Sequence, residues 1–282
     1  MLKFMKYEIK GTYKFIMMLV LAVLGASTGL QLSALRGMKG NLDNFPTFLP
    51  LILGLVIFGA FVSAFFYIVS SFRKELYEDR GYLTFSLPLI GKQVLGAKLC
   101  IALLWSAILG LSIVIYNLIL GSLLFGTRWI EGFKMIFSYI SANIVLVIGF
   151  TAILSGISTL LLIYFAMTLS KVSIRNKKIG GLWFILFLVL SGIISYITAK
   201  VSGVIPYYID LNTFKIISKT MIGNQITNGV NLNLLYDQSM SGMVIQSGGA
   251  LLLNIGAYVF SIVVALATFF GTSYLLDKKV EI

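Results

Sequence analysis

Three carboxylates stand at helical spacing in one short polar stretch: Glu75, Glu78 and Asp79, at i, i+3 and i+4, beside Arg73, Lys74 and Arg80. Coiled as a helix, this segment presents its acids on one face. The chemistry on offer is ionic recognition rather than bond-making. The chain has no histidine, and its single cysteine, Cys100, lies in an apolar stretch. Histidine-based catalysis, disulfide frameworks and Cys/His metal sites are therefore excluded or nearly so. No GxxxxGK[ST] loop occurs, and GKQVLGAK at Gly91 lacks both the spacing and the strand-to-helix setting of a phosphate cradle. No cofactor or metal is expected on this chain.

The elements that must hold this stretch are apolar. Of 282 residues, 59% are hydrophobic and 11% charged, with a mean hydropathy of +0.97. A soluble domain is near half apolar and a quarter charged, so the composition implies an integral membrane protein. The net charge of +12 is carried by short basic clusters between apolar runs, without a basic stripe or a soluble module for nucleic acid. Six spans are expected, over about 15–35, 47–71, 93–125, 135–170, 180–199 and 250–276. The fourth is long and uncharged, and is read as one helix, because two would need an uncharged turn near Gly149 or Gly156. Pro46 and Pro50 suit a helix start. Residues 200–249 form the longest non-spanning region, expected to be an ordered external segment with short helices against the outer leaflet.

Lys3, Lys6, Lys10 and Lys14 fall within an arc of roughly 80° at 100° per residue, with Leu2, Met5 and Ile9 on another face. Residues 1–14 thus read as an interfacial amphipathic helix, its lysines toward the headgroups. Fifteen of the 22 Lys and Arg residues lie on the segments assigned to the cytoplasm, including Lys171, Arg175, Lys177 and Lys178. The positive-inside rule then places both termini, and the polar stretch 72–92, in the cytoplasm. Gly25 and Gly29 make a GxxxG pair, which is either a packing seam or ordinary glycine usage. Trp129 reads as a headgroup-level anchor.

Within residues 72–92, Gly81 can end the short helix and Pro88 marks a second break. Tyr77, Tyr82, Leu83 and Phe85 sit outside a span, where water disfavours them unless something covers them. The cover is lipid headgroup or a protein groove, and composition does not choose. A force applied here would pass to both flanking spans.

The stretch ELYEDRGYLTFSLP at Glu75, followed by a basic residue and a long helix, resembles the first cytoplasmic loop of ABC-2 permeases, the type-2 ABC exporters, especially small permeases of low-GC Gram-positive bacteria. The pattern around Gly81, Leu83, Thr84, Ser86, Leu87 and Pro88 carries the likeness. The resemblance implies an all-α polytopic protein, a single transmembrane permease domain over 1–282, with an N-terminal elbow helix, six transmembrane helices and a coupling helix between spans 2 and 3. It implies that Arg73, Glu75, Tyr77, Glu78, Asp79, Arg80, Gly81, Tyr82 and Leu83 dock on a separate ABC ATPase. Two copies of that ATPase, holding ATP and Mg, would work with two permease chains in a bacterial plasma membrane.

Asn117, Asn143, Thr151, Ser155, Ser158, Thr159 and Asn254 are polar but uncharged positions within spans. Such residues more often bond neighbouring helices or their own backbone than line a path. No charged residue is expected deep in a span, which lowers a proton- or ion-coupled carrier and favours a weakly polar path for an amphipathic substrate. The expected function is export of such a substrate by a non-enzymatic subunit. The alternatives are a secondary, ion-coupled transporter and an intramembrane enzyme, the latter disfavoured for want of a catalytic dyad.

Overall fold

In a computed structural model each of the six apolar stretches forms one helix long and apolar enough to cross a membrane. The chain is a multi-pass membrane protein. The structure describes residues 2–38, 49–77, 90–127, 129, 131–132, 134–135, 142–173, 181–211, 214–218, 243–245 and 251–278. These residues fall into two compact units, with the division between residues 136 and 137.

The first unit holds α1 (Leu2–Met38), α2 (Leu49–Tyr77) and α3 (Gly91–Phe125). Pro50 stands in the first turn of α2, where its missing N–H breaks no helical bond. Gly126 ends α3 at φ +60, a conformation that suits a residue without Cβ, and its N–H donates to the Ser122 carbonyl at 3.0 Å. Helix directions follow from the contacts. Phe15 stacks on Tyr67 at 4.1 Å, and Gly29 packs against Leu53, so α1 and α2 run antiparallel. Thr12 meets Trp105 and Thr28 meets Tyr116, so α1 and α3 run parallel. Ile16, Val20, Ala64, Ile101, Trp105 and Leu109 form the buried core among the three helices.

The amphipathic start does not form a separate helix. It continues without a break into the apolar run, making α1 37 residues long. The only glycine near the junction, Gly11, is tolerated inside a helix at a cost of about 1 kcal/mol, and no proline interrupts the turn sequence. All four lysines are exposed, as the wheel requires, but Met5 and Ile9 pack on the core of the unit.

The second unit holds α4 (Ala142–Ser173), α5 (Leu182–Val204) and α6 (Ile255–Lys278). The stretch from Ala142 is thus one helix, as its lack of any turn signal implies. Gly271 lies against Phe165, and Tyr258 packs beside Ile144, so α4 and α6 run parallel. The densest packing is on α4, where Leu161, Ile163, Tyr164, Ala166 and Met167 are all buried.

Between α5 and α6 the described residues form strands; residues 219–242, where short helices are expected, lie outside the described residues. The strands are β1 (Tyr207–Asp210), β2 (Ile216–Ser218), β3 (Met243–Ile245) and β4 (Leu251–Asn254), antiparallel in the order β2-β1-β4-β3. Pro206 cannot continue α5 and biases its predecessor to extended backbone, while the Tyr- and Ile-rich segment after it favours a strand. Tyr208 pairs with Asn254 and Asp210 with Leu252, which joins the two ends of this excursion at its base. For the same reason α6 starts at Ile255 rather than at Ala250. Asn254 ends the strand and caps the helix: its Oδ1 accepts the Ala257 N–H at 2.8 Å, while its amide nitrogen donates to the Ile205 carbonyl at 3.2 Å.

Candidate functional site

The helical wheel that gathers the lysines of α1 puts Glu8 about 160° from the middle of their arc, on the face that turns into the bundle. There it meets Lys98 of α3, with Nζ 2.6 Å from Glu8 Oε1. The same ammonium lies 2.8 Å from Glu75 Oε1 on α2 and donates to Ser71 Oγ at 2.8 Å. Ser71 in turn donates its hydroxyl proton to Glu8. The three N–H donors of one ammonium are thus matched to three acceptors on two other helices. Lys98 also stands 5.8 Å from the centre of the Phe4 ring.

Burial makes this cluster consequential. The side chains of Lys98 and Glu75 are 3% and 7% exposed, that of Glu8 18%. Charges so placed persist because each has an opposite partner at hydrogen-bond distance, and stripping one partner leaves the others unpaired in a medium that solvates them poorly. One turn further in, the Trp105 indole donates to Thr12 Oγ1 at 3.0 Å, closing the α1–α3 seam above the ions. Lys98 is seven residues into α3 and Glu75 is two residues from the end of α2. The cluster therefore ties together the two helix ends that flank residues 78–89, and ties both to the start of α1.

This corrects one expectation. Glu75 is not exposed: α2 continues through Tyr77, Phe72 is 1% exposed, and the Glu75 carboxylate points into the unit. The stretch beginning at Phe72 is helix core for its first turn. Arg73 is exposed and Tyr77 half-buried, while Glu78, Asp79, Arg80, Gly81, Tyr82 and Leu83 lie outside the described residues. The cluster had a legible signal: Lys98 is the one charge between Lys92 and Arg128, in an otherwise apolar run, and such a residue calls for a partner.

The remaining polar positions separate into two groups. Asn117 serves helix packing: its Oδ1 accepts from Gln31 Nε2 at 2.7 Å and its amide donates to Ser27 at 3.3 Å, both on α1. Gly29 also packs, since a Cβ there would lie 2.9 Å from Leu53 Cδ1, whereas a Cβ on Gly25 would meet nothing within 4 Å. Among the described residues only the Gly29 half of the GxxxG pair is a seam. Trp129 lies over Gly121 and stacks on Phe125 at 5.7 Å, so its ring covers the end of α3.

Thr151 and Ser155, by contrast, line a cavity of about 520 Å³ among α4, α5 and α6, together with Ser158 and Thr159. Asn143 is exposed near the start of α4 and is not among the lining residues. Sequence reading had no signal for the α5 wall, because Ser191, Ser195 and Thr198 look like ordinary span residues until packing brings them opposite α4.

Among the described residues no group of three His, Cys, Asp or Glu is placed to hold a metal ion. Comparison with protein-family models, curated proteins and solved structures finds no match for this chain.

Proposed function

We propose that this chain is the membrane-spanning permease subunit of an ATP-driven exporter of the ABC-2 type, moving an amphipathic peptide, antimicrobial or lipid-like substrate. The Glu8–Lys98–Glu75 cluster is the observation that carries the reading. A loop pushed by a partner can drive a bundle only if its two ends are held rigidly to the helices they must move. Here both helix ends flanking residues 78–89 are joined by one buried ammonium, and α1 is joined with them. The polar stretch supplies the contact, and Arg73 and Tyr77 are its residues within α2. Two ATPase subunits carrying ATP and Mg, and a second permease chain, complete the assembly in a bacterial plasma membrane with both termini in the cytoplasm. A state-dependent contact at the loop would then bias the bundle between two arrangements.

The test is reconstitution. The chain is co-expressed with an ABC ATPase encoded in a neighbouring reading frame, and co-purification and ATP-dependent export of a fluorescent amphipathic peptide are measured. Co-purification lost on Tyr82→Ala with Glu78→Ala supports the reading; export that proceeds in energised vesicles without ATP overturns it.

One observation favours a second reading, a proton-coupled carrier. Ionisable groups inside a bundle mark proton paths in such proteins, and this cluster places two acids around one base. Acidification-driven uptake by the chain alone, abolished by Glu8→Gln, would select it.

A further inference from the structure

Small hydroxyl residues usually let transmembrane helices approach closely. In the second unit they do the opposite. Thr151, Ser155, Ser158 and Thr159 of α4 face Ser191, Ser195 and Thr198 of α5 across open space, with Ser261 of α6 closing the group. The volume is about 520 Å³, within the roughly 300–1,000 Å³ of small-molecule sites.

The hydrogen bonds fix what this wall can recognise. Thr151 donates to the Ile148 carbonyl at 2.9 Å, Ser158 to Leu154 at 2.8 Å and Thr159 to Ser155 at 2.9 Å. On the facing helices Ser191 donates to Leu188 at 2.9 Å, Thr198 to Ile194 at 2.8 Å and Ser261 to Ala257 at 2.8 Å. Each of these six hydroxyls has spent its single proton on its own helix, which leaves oxygen lone pairs toward the cavity. With six of the nine lining hydroxyls so engaged, the wall offers more acceptors than donors, the donors being Ser155, Ser195 and Tyr258. None of the lining residues is charged. A buried cation would find no counter-charge and an anion too few donors, and both are costly to desolvate. Ile148, Leu162, Phe187 and Val264 supply an apolar complement.

The geometry points to a binding site among α4, α5 and α6 for a neutral amphipathic molecule with a hydrogen-bond-donating hydroxyl head on an apolar body. The site is independent of any ATPase, so its test is separable from the proposed function.

The experiment uses the full chain in nanodiscs without partner subunits. The probe is a diazirine-bearing octanol, compared with its methyl ether, its trimethylammonium analogue and its sulfate on the same chain. The alcohol is expected to label peptides of α4, α5 and α6 around residues 148–162, 187–198 and 258–264, competed by excess octanol. Removing the one donor, in the ether, is expected to reduce labelling about tenfold, and both charged probes are expected to give less still. Ser158→Leu with Ser195→Leu fills the space and should abolish the labelling. Thr159→Val with Thr198→Val keeps the shape and removes two acceptors, and should narrow the alcohol-to-ether ratio by at least threefold. If the filled variant loses helical circular dichroism, the isosteric pair decides. Equal labelling by all four heads, or a ratio unmoved by the isosteric pair, overturns the site.

Discussion

Lys98 reaches Glu75 at 2.8 Å from the far side of residues 78–89, whose two ends those residues flank. The pair is buried, and the same ammonium holds Glu8, so three helices share one positive charge. Removing that charge is the most direct test. Lys98→Met leaves two carboxylates facing each other inside the unit and is expected to cost about 3–5 kcal/mol. The triple change Glu8→Gln, Glu75→Gln, Lys98→Met should recover most of it. Thermal unfolding in a fixed detergent measures both; a single Lys98→Met variant as stable as wild type would show that the ions are solvated in the membrane.

The seam next to this cluster gives a second prediction. Trp105 donates to Thr12 at 3.0 Å, a buried bond between neutral groups, and such bonds contribute about 1 kcal/mol. Trp105→Phe and Thr12→Val are each expected to destabilise, and the double variant to be less unstable than the sum. A double-mutant cycle on the thermal midpoint reads the difference, and strict additivity would remove the bond from the account.

Gly25 and Gly29 should part company. A side chain at Gly29 must displace Leu53 from 2.9 Å, whereas one at Gly25 meets open space. Gly29→Val is expected to cost about 1–3 kcal/mol through overpacking, and Gly25→Ala to fall within about 0.5 kcal/mol of wild type. If Gly25→Ala instead blocks association of two chains on a sizing column, that half of the motif belongs to an interface between copies.

How much of this was legible beforehand depends on the range of the interaction. The six helices follow from apolar runs, a local property, and so does the single long α4, which has no turn signal. The lysine arc on α1 was legible for the same reason, and all four lysines are exposed. Glu75 was misplaced because its i, i+3, i+4 relation to Glu78 and Asp79 is local, while its partner Lys98 lies more than twenty residues further along the chain. The strands at Tyr207 and Leu251 were hidden because their pairing joins segments more than forty residues apart. The hydroxyl cavity needs α4 and α5 packed together, and neither helix alone distinguishes it from back-bonded serine and threonine.

Asn254 caps α6 while bonding the end of α5, so its two polar atoms act on different helices. Asn254→Ala should lose both and cost about 1–2 kcal/mol. Asn254→Asp keeps the cap oxygen and gives up the donor, so it should fall between Ala and wild type. Amide exchange at Ala257 is expected to rise strongly in the Ala variant and little in the Asp variant. Equal exchange in both would assign the stabilisation to the Ile205 contact instead.

The division between contact and frame yields the last prediction, which rests on the proposed permease role. Tyr82 and Glu78 belong to the segment offered to the ATPase, whereas Lys98, Glu75 and Glu8 hold that segment's ends to the bundle. Tyr82→Ala with Glu78→Ala should therefore abolish co-purification while leaving the thermal midpoint of the isolated chain within a degree or so, because residues that serve a partner contact rather than the fold shift stability by at most about 0.5 kcal/mol. The triple neutralisation of Glu8, Glu75 and Lys98 should do the reverse. It keeps the contact, so the ATPase still co-purifies, but it replaces an ionic tie across three helices with weaker neutral bonds. ATP hydrolysis then continues while transport falls at least tenfold. Transport lost in step with co-purification in both variants would mean that the buried ions shape the contact itself rather than carry its motion into the helices.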